Sequence, residues 1–424
     1  MAPGPREAHA YSRPGAFSRH TNPIVQIVNM LSQDRWLLPE GIEEVLPAEA
    51  RRLEVLRRKV LDMFAAWGYQ QVIPPFIEYI ESLLTGTGHA LDLQTFKLID
   101  QMSGRLLGVR ADMTPQVARI DARNALQDVP ARLCYLGTVL HTQSDHLERS
   151  RSPMQVGAEL YGHDGAASDL EIIRLMLEMF HVAAIERVFL DLGHVGVYRG
   201  LVRQAGLDGQ QESDLFDILQ RKAYPELDEF LGATSVPEGC ADMLGALIDL
   251  NGGLEVLSAA RQRLAAAEPE VHCALDNLEL IATSLAQAFP DLPIHFDLAE
   301  LRGYHYQTGV VFAAFVEGYG REVARGGRYD EIGKVFGKAR PATGFSADLK
   351  ILARLGQVAD EPLEPVFAPA VDDPALADAV RALRSQGQVV IQELEGQRVD
   401  AAALGCRYRL ERGPRGWDRV ALDA

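Results

Sequence analysis

Cysteine is scarce in this 424-residue chain, and the four that occur, Cys134, Cys240, Cys273 and Cys406, stand far apart with no CxxC spacing. That pattern excludes a stapled secreted scaffold and a zinc ribbon, and it predicts reduced thiols in a cytoplasmic protein. Long apolar runs are missing too, and none approaches the roughly 18 residues of a membrane span, so no membrane partner is expected. The first 35 residues carry Pro, Gly, Ser, Arg and His without a continuous apolar stretch. This composition excludes a secretory signal and predicts a disordered leader over 1–35. No HExxH occurs among the eleven histidines, and the nearest pair, His141 and His146, lies at a strand end and in a loop, so no metal site is expected. A P-loop, GxGxxG and GxSxG are likewise absent, which removes the signatures of three large enzyme classes and leaves no cofactor to expect. Positive charge is in deficit, with 42 Lys and Arg against 59 Asp and Glu and a net charge of −17. Phosphate neutralisation dominates nucleic-acid affinity, so a long nucleic acid is a poor partner for such a surface; a protein or a small molecule suits it better.

What is present divides into segments. PAEARRLEVLRRKVLDMFAAWGY, from Pro47, places Leu53, Leu56, Val60, Phe64 and Trp67 at helical spacing, with Gly68 where a C-terminal cap belongs. Between 105 and 161 the pattern predicts a strand ending at Thr114, a helix through PQVARIDARNAL, and two strands, LCYLGTVLHTQ and SPMQVGAELYG. In the last of these Met154, Val156, Ala158 and Leu160 alternate with Gln155, Gly157, Glu159 and Tyr161, giving a core face and a polar face. SDLEIIRLMLEMFHVA is a further helix, RVFLDLG a strand, and about 195–290 an inserted helical unit. Strands return over IHFDLAELRGYHYQTGVVFAAFV, followed by a glycine turn, RGGRYD, and a strand leading into a helix, ATGFSADLKILARL. The core is expected over 36–356 and, beyond an acidic Pro-containing linker, a small α/β domain over 365–424.

One set of polar residues stands out. Arg110, Asp112 and Thr114 alternate along one predicted strand, Gln155 and Glu159 along another with Gly157 leaving room between them, and Arg302 and Tyr306 along a third. Carboxylates, a hydroxyl and an amide oxygen satisfy an ammonium group and an arginine pairs with a carboxylate, so the set suits a free amino acid. The plainer reading is the solvated face of an antiparallel sheet, with Tyr329 simply following a Gly-Gly hairpin turn and ERSR (148–151) a solvated loop tip rather than a phosphate loop.

From Asp34 to Gly356 the motif order resembles the histidyl-tRNA synthetase-like class II core, and within it the regulatory subunit of ATP phosphoribosyltransferase. LPEGIEEVLP (38–47) resembles the opening, dimer-supporting motif. VRADMTPQVAR (109–119) is similar to the amino-acid-binding strand, and GTVLHTQSDHLERSRSPMQVGAE (137–159) to the motif-2 hairpin. LRGYHYQTGVVF (301–312) resembles the histidine segment, and GGRYD with ATGFSADLK the run into motif 3. The resemblance implies an α+β fold, an antiparallel sheet flanked by helices with a helical insertion and a small C-terminal α/β appendage.

Residue by residue, the implied histidine-binding positions are kept: Asp112 (Glu in typical synthetases), Thr114, Gln155, Glu159, Arg302, Tyr306 and Tyr329. Arg302 would hold the carboxylate, and Asp112, Thr114, Gln155 and Glu159 the ammonium. The implied ATP positions are lost: the motif-2 arginine falls on His141, its glutamate partner on Gln143 and the motif-3 arginine on Ile351. Neither an imidazole nor an alkyl group replaces a permanently charged phosphate fork. YHYQ (304–307) replaces an acidic residue and a second tyrosine, and the tail is too short for an anticodon-binding domain. The resemblance therefore implies a non-catalytic subunit that dimerises, joins a short-form catalytic subunit in a hetero-octamer, enables its activity in the first step of histidine biosynthesis and relays feedback by L-histidine. A divergent histidyl-tRNA synthetase and a ligand-free scaffold are the alternatives.

Overall fold

The computed structural model describes residues 37–422 except 86–88, 125–128, 144–149, 300–303, 305, 358–363, 397–399 and 415. The leader expected over 1–35, together with Arg302 and His146, lies outside the described residues. The chain forms two compact units, up to Gln357 and from Val358.

In chain order the strands of the first unit are β1 (Gln70–Gln71), β2 (Ile77–Tyr79), β3 (Lys97–Ile99), β4 (Leu106–Val109), β5 (Ala131–Thr138), β6 (Met154–Tyr161), β7 (Val188–His194), β8 (Asn251–Gly252), β9 (Ile294–Asp297), β10 (Val310–Val316), β11 (Tyr319–Arg328) and β12 (Ala342–Asp348). Nine of them make one sheet in the order β1-β5-β6-β12-β11-β10-β7-β9-β8. It is antiparallel except at β1–β5 and β7–β9. Such a sheet needs cover on any apolar face, and here both faces receive it.

On one face Val156, Ala158, Leu160 and Phe345 meet the helix Ala166–Val182, against which the helix Pro47–Ala66 packs. Leu53, Leu56, Val60 and Phe64 of that second helix are buried, with the Phe64 ring 6.2 Å from Phe345. Trp67, expected to continue this apolar stripe, instead follows the last turn and is exposed; Gly68 closes the helix at φ +83°. On the other face Met113, Val117 and Ala118, at and within the start of the helix Thr114–Asn124, pack with Tyr135, Tyr161 and Tyr329.

Three local expectations need correction. β4 ends at Val109, and Arg110–Met113 cross to a helix that begins at Thr114, so Arg110, Asp112 and Thr114 do not alternate along a strand. Gly326 and Gly327 are not a turn but the interior of β11, paired to β10 and β12. Tyr306 lies in a turn between β9 and β10 rather than in a strand. A third, short sheet, β2-β4-β3, leaves Ile77, Tyr79, Leu98, Ile99 and Leu106 exposed, with Met102 in its turn 97% exposed.

Six helices, Val195–Ala205, Gly209–Gln220, Tyr224–Ala233, Glu238–Ala246, Glu255–Arg263 and Pro269–Ala288, make the insertion. Asp208 and Gln211 form a capping box at the second of them. The insertion also sends β8 to the sheet edge, a two-residue strand too short to leave a pattern.

The second unit has strands β13 (Val366–Ala368), β14 (Val390–Gln392), β15 (Tyr408–Gly413) and β16 (Gly416–Ala421) in the order β14-β13-β15-β16. Leu376 and Val380 of the helix Pro374–Ser385 close its small core over Val366, Ala368, Val390 and Leu410. Among the described residues no helix is long and apolar enough to cross a membrane.

Candidate functional site

The alternation of β6 puts Gln155, Gly157, Glu159 and Tyr161 on the face roofed by the helix Thr114–Asn124. That roof overturns the solvated-face reading: Glu159 is 1% exposed. Gly157 does leave room, but for protein. Its direct cross-strand partner is Tyr135, whose ring would lie 2.5 Å from a Cβ added there.

Four hydroxyl and carboxyl groups converge. The Tyr135 hydroxyl donates to Glu159 Oε1 at 2.9 Å, the Thr114 hydroxyl donates to the same oxygen at 3.1 Å, and the Tyr329 hydroxyl donates to Oε2. Beside them Asp112 Oδ1 accepts from the Thr114 amide at 2.9 Å and from Gln155 Nε2 at 2.7 Å, while Gln155 Oε1 accepts the Met113 amide at 2.9 Å. Asp112, Thr114, Gln155, Glu159 and Tyr329 are thus brought into one hydrogen-bonded cluster.

Among the described residues neither a lysine nor an arginine is hydrogen-bonded to Glu159. Burial pushes its carboxyl up to about 8, with the Tyr329 and Tyr135 hydrogen bonds pulling the other way and the Asp112 charge adding to the rise. The Tyr135 and Tyr329 phenols are pushed well up by burial and by the Glu159 charge.

Tyr306 joins from the rim. Its residue surface is 46% exposed, its ring centre is 6.5 Å from that of Tyr329, and burial of the phenol raises its pKa, with Arg325 and a Gln307 hydrogen bond opposing and Asp112 and Glu159 adding. Arg110 does not join. Its Nε donates to the Thr138 carbonyl at 2.9 Å and Nη1 to that of Pro74 at 2.7 Å, a brace between backbone segments.

At the positions implied for ATP, His141 Nε2 lies 2.9 Å from the Ala111 carbonyl, Gln143 is exposed, and Ile351 sits half-buried in the helix Leu349–Leu355. The nearby Arg151 donates to the carbonyls of His141 and Glu40, both at 3.0 Å. It is a staple at the base of the hairpin, not an open phosphate fork.

Comparison with known proteins supplies the family. A family model for histidyl-tRNA synthetase matches residues 41–352, and one for the ATP phosphoribosyltransferase subunit HisZ C-terminal domain matches 364–420. The chain is 63% identical over 389 residues, covering 91% of it and 96% of the relative, to an ATP phosphoribosyltransferase regulatory subunit of Methylococcus capsulatus. It is 60% identical to one of Thioalkalivibrio sulfidiphilus, with 90% and 97% covered. The chain belongs to the ATP phosphoribosyltransferase regulatory subunit family. As a member it is a non-catalytic subunit of that enzyme, on a histidyl-tRNA synthetase-like class II fold. A solved ATP phosphoribosyltransferase regulatory subunit/histidyl-tRNA synthetase from Bacillus halodurans superposes with TM-score 0.77 at 25% identity, covering 87% of this chain and 96% of that one.

Two contributors escaped the sequence reading. Tyr135 shares a face of β5 with Leu133 and Gly137, and the alternation in LCYLGT together with hairpin pairing to Gly157 would have exposed it. Gln307 was visible only as a departure from the resemblance; its surroundings become clear in three dimensions.

Proposed function

We propose that this chain binds L-histidine at the Glu159 cluster and, through that binding, relays feedback inhibition to a short-form catalytic subunit whose activity it enables. The observation that carries the reading is the asymmetry of the site. Acceptors for an ammonium are gathered and buried around Glu159 and Asp112, whereas His141, Gln143 and Ile351 offer no guanidinium to a triphosphate. In this reading Arg302 holds the ligand carboxylate, Asp112, Thr114, Gln155 and Glu159 take the ammonium, and Tyr306 and Tyr329 line the remainder. Feedback is then a difference in histidine affinity between active and inhibited assemblies, and a coupling of 1–3 kcal/mol, typical of such linkage, gives roughly 5- to 150-fold.

The same reading places the chain in the cytoplasm, as a dimer within a hetero-octamer, with no nucleic acid or membrane partner. The exposed apolar side chains of β2-β4-β3, Ile77, Tyr79 and Leu98 on one face and Ile99 and Leu106 on the other, support self-association, since exposed apolar patches mark protein contacts.

Phosphoribosyl-ATP formation by a purified short catalytic subunit, titrated with this chain with and without histidine, tests the proposal. Saturable activation that histidine reverses is expected, with Glu159→Ala abolishing the reversal but not the activation. Histidine inhibition left intact in Glu159→Ala would reject the site, and absence of activation would reject the function.

A further inference from the structure

A polar cavity of about 290 Å³ lies apart from the Glu159 cluster, lined by Ser82, Thr85, Arg119, Arg123, Val335 and Phe336. Its walls come from three elements: the short helix Ile80–Leu83 with the turn that follows it, the helix Thr114–Asn124, and the 3₁₀ helix Ile332–Phe336. Along the second of these, Val117 and Ala118 pack with Tyr135 and Tyr329, whereas Arg119 and Arg123, four residues apart, share the flank that borders the cavity.

The two cations of this flank are not equivalent. Arg119 is buried and committed: its guanidinium pairs with both oxygens of Glu78, and Nη1 also donates to the Ser82 hydroxyl at 2.9 Å. Gln116 Nε2 adds a donor to Glu78 Oε1 at 2.7 Å. Burial would raise the Glu78 carboxyl, yet the Arg119 and Gln116 hydrogen bonds hold it below its ordinary range, so Glu78 and Arg119 form a closed, neutral unit. Glu81, the acid of the short helix, is paired with Arg105 at 3.5 Å. Arg123 is exposed, and among the described residues it has neither an ion pair nor a hydrogen bond. The cavity therefore carries one unspent positive charge in a chain whose net charge is −17.

We propose that this cavity is a second ligand site, taking a phosphate monoester with a small body. The phosphoryl group meets the Arg123 fork, which matches it with two parallel donors, and the Ser82 hydroxyl, whose contact to Glu78 is a long 3.4 Å and which can turn to a closer acceptor. A phosphoryl group offers three acceptor oxygens, which suits donors arriving from two separate elements. The body lies against Val335 and Phe336, and Val335, half exposed, gains cover from it. Ligand pockets run from roughly 300 to 1,000 Å³, so a space of about 290 Å³ fits a phosphorylated sugar and is short for a dinucleotide. The inference goes beyond the amino-acid reading and does not rest on it. The cavity walls are nonetheless continuous with that site: Thr114 opens one and Tyr329 immediately precedes another, and both donate to Glu159. An occupant would tie together the two pieces of chain that hold that carboxyl.

Calorimetry on the full chain with ribose 5-phosphate and with inorganic phosphate tests this. Saturable binding of ribose 5-phosphate is expected, weakened ~10-fold or more in Arg123→Gln and by less in Arg123→Lys, which keeps the charge and loses the fork. Inorganic phosphate should bind more weakly than the ester, and equal affinity overturns the assignment of a monoester. Amide hydrogen exchange with the ester bound should slow over 114–124 and 329–336 together. Absence of saturable binding, an affinity unchanged in Arg123→Gln, or protection confined to other segments overturns the site. Arg123 is exposed, so both variants should unfold at the wild-type temperature. None of these measurements involves histidine, so their failure leaves the reading of the Glu159 cluster standing, and failure of that reading leaves this site standing.

Discussion

Glu159 on β6 and Gly344 on β12 are direct cross-strand partners, and the side chain that Gly344 lacks is the space the Glu159 carboxylate occupies. The glycine is required by a neighbour's position rather than by backbone conformation. Gly344→Ala is expected to cost about 1–3 kcal/mol, as overpacking of a close-packed interior does, and to lower histidine affinity by ~10-fold or more through displacement of the carboxylate. Denaturant unfolding and calorimetry on one preparation measure both.

Glu159 also makes stability depend on pH. Its folded value, about 8, stands above the ordinary 4.5, so between these limits the unfolded chain has lost a proton that the folded chain keeps. Its contribution is full below 4.5, falls as pH rises, at about 1.4 kcal/mol per unit, and levels off above about 8. Glu159→Gln should flatten that part of the stability curve and be the more stable protein near neutrality.

An ammonium set beside Glu159 favours its ionised form, so histidine binding below about pH 8 should expel close to one proton. Calorimetry in two buffers of different ionisation enthalpy counts it. Glu159→Gln should release none, and equal proton counts in the two proteins would remove Glu159 from the ammonium contact.

Histidine-dependent ATP–pyrophosphate exchange should be undetectable. Each charge clamp on a transferring group supplies about 3–4 kcal/mol, so two missing arginines reduce turnover by roughly 10⁴-fold or more. Arg110 and Arg151 cannot stand in, because both are bound to backbone carbonyls. Exchange at a synthetase-like rate would return the chain to the enzymes.

On the face of β2-β4-β3 that carries Ile99 and Leu106, Ile99→Asp should shift the chain from dimer to monomer in light scattering while leaving its far-ultraviolet spectrum intact. Ile99 is 72% exposed in the isolated chain, so a charge there has no folded-state cost to pay until a second copy covers it.

The fold class was legible because its main devices are periodic: the helix Pro47–Ala66, the alternation of β6, and the helical run of the insertion each repeat over many residues. The site was legible less evenly. Glu159, Gln155, Asp112 and Thr114 do meet, but the last two arrive from a crossing segment and a helix start, which alternation mistook for a strand. The Gly326-Gly327 pair looked like a turn because local composition does not register that Phe312 and Gln307 fill the space above those glycines. Tyr135 acquires its place from Gly157, a cross-strand partner distant in sequence, and Gln307 from Gly327, information that no short window along the chain contains.

Tyr304 bears on how a ligand would be felt elsewhere. Its ring sits edge-on to Tyr198 at 5.2 Å and beside Phe216 at 5.5 Å, with the Arg199 guanidinium 4.6 Å from its centre and its hydroxyl on Glu212, all residues of the inserted helices. Three peptide steps on, Gln307 overhangs Gly327. So few residues can separate the two positions by at most about 11 Å, so the insertion and the glycines of the central sheet are reached within one short span of chain.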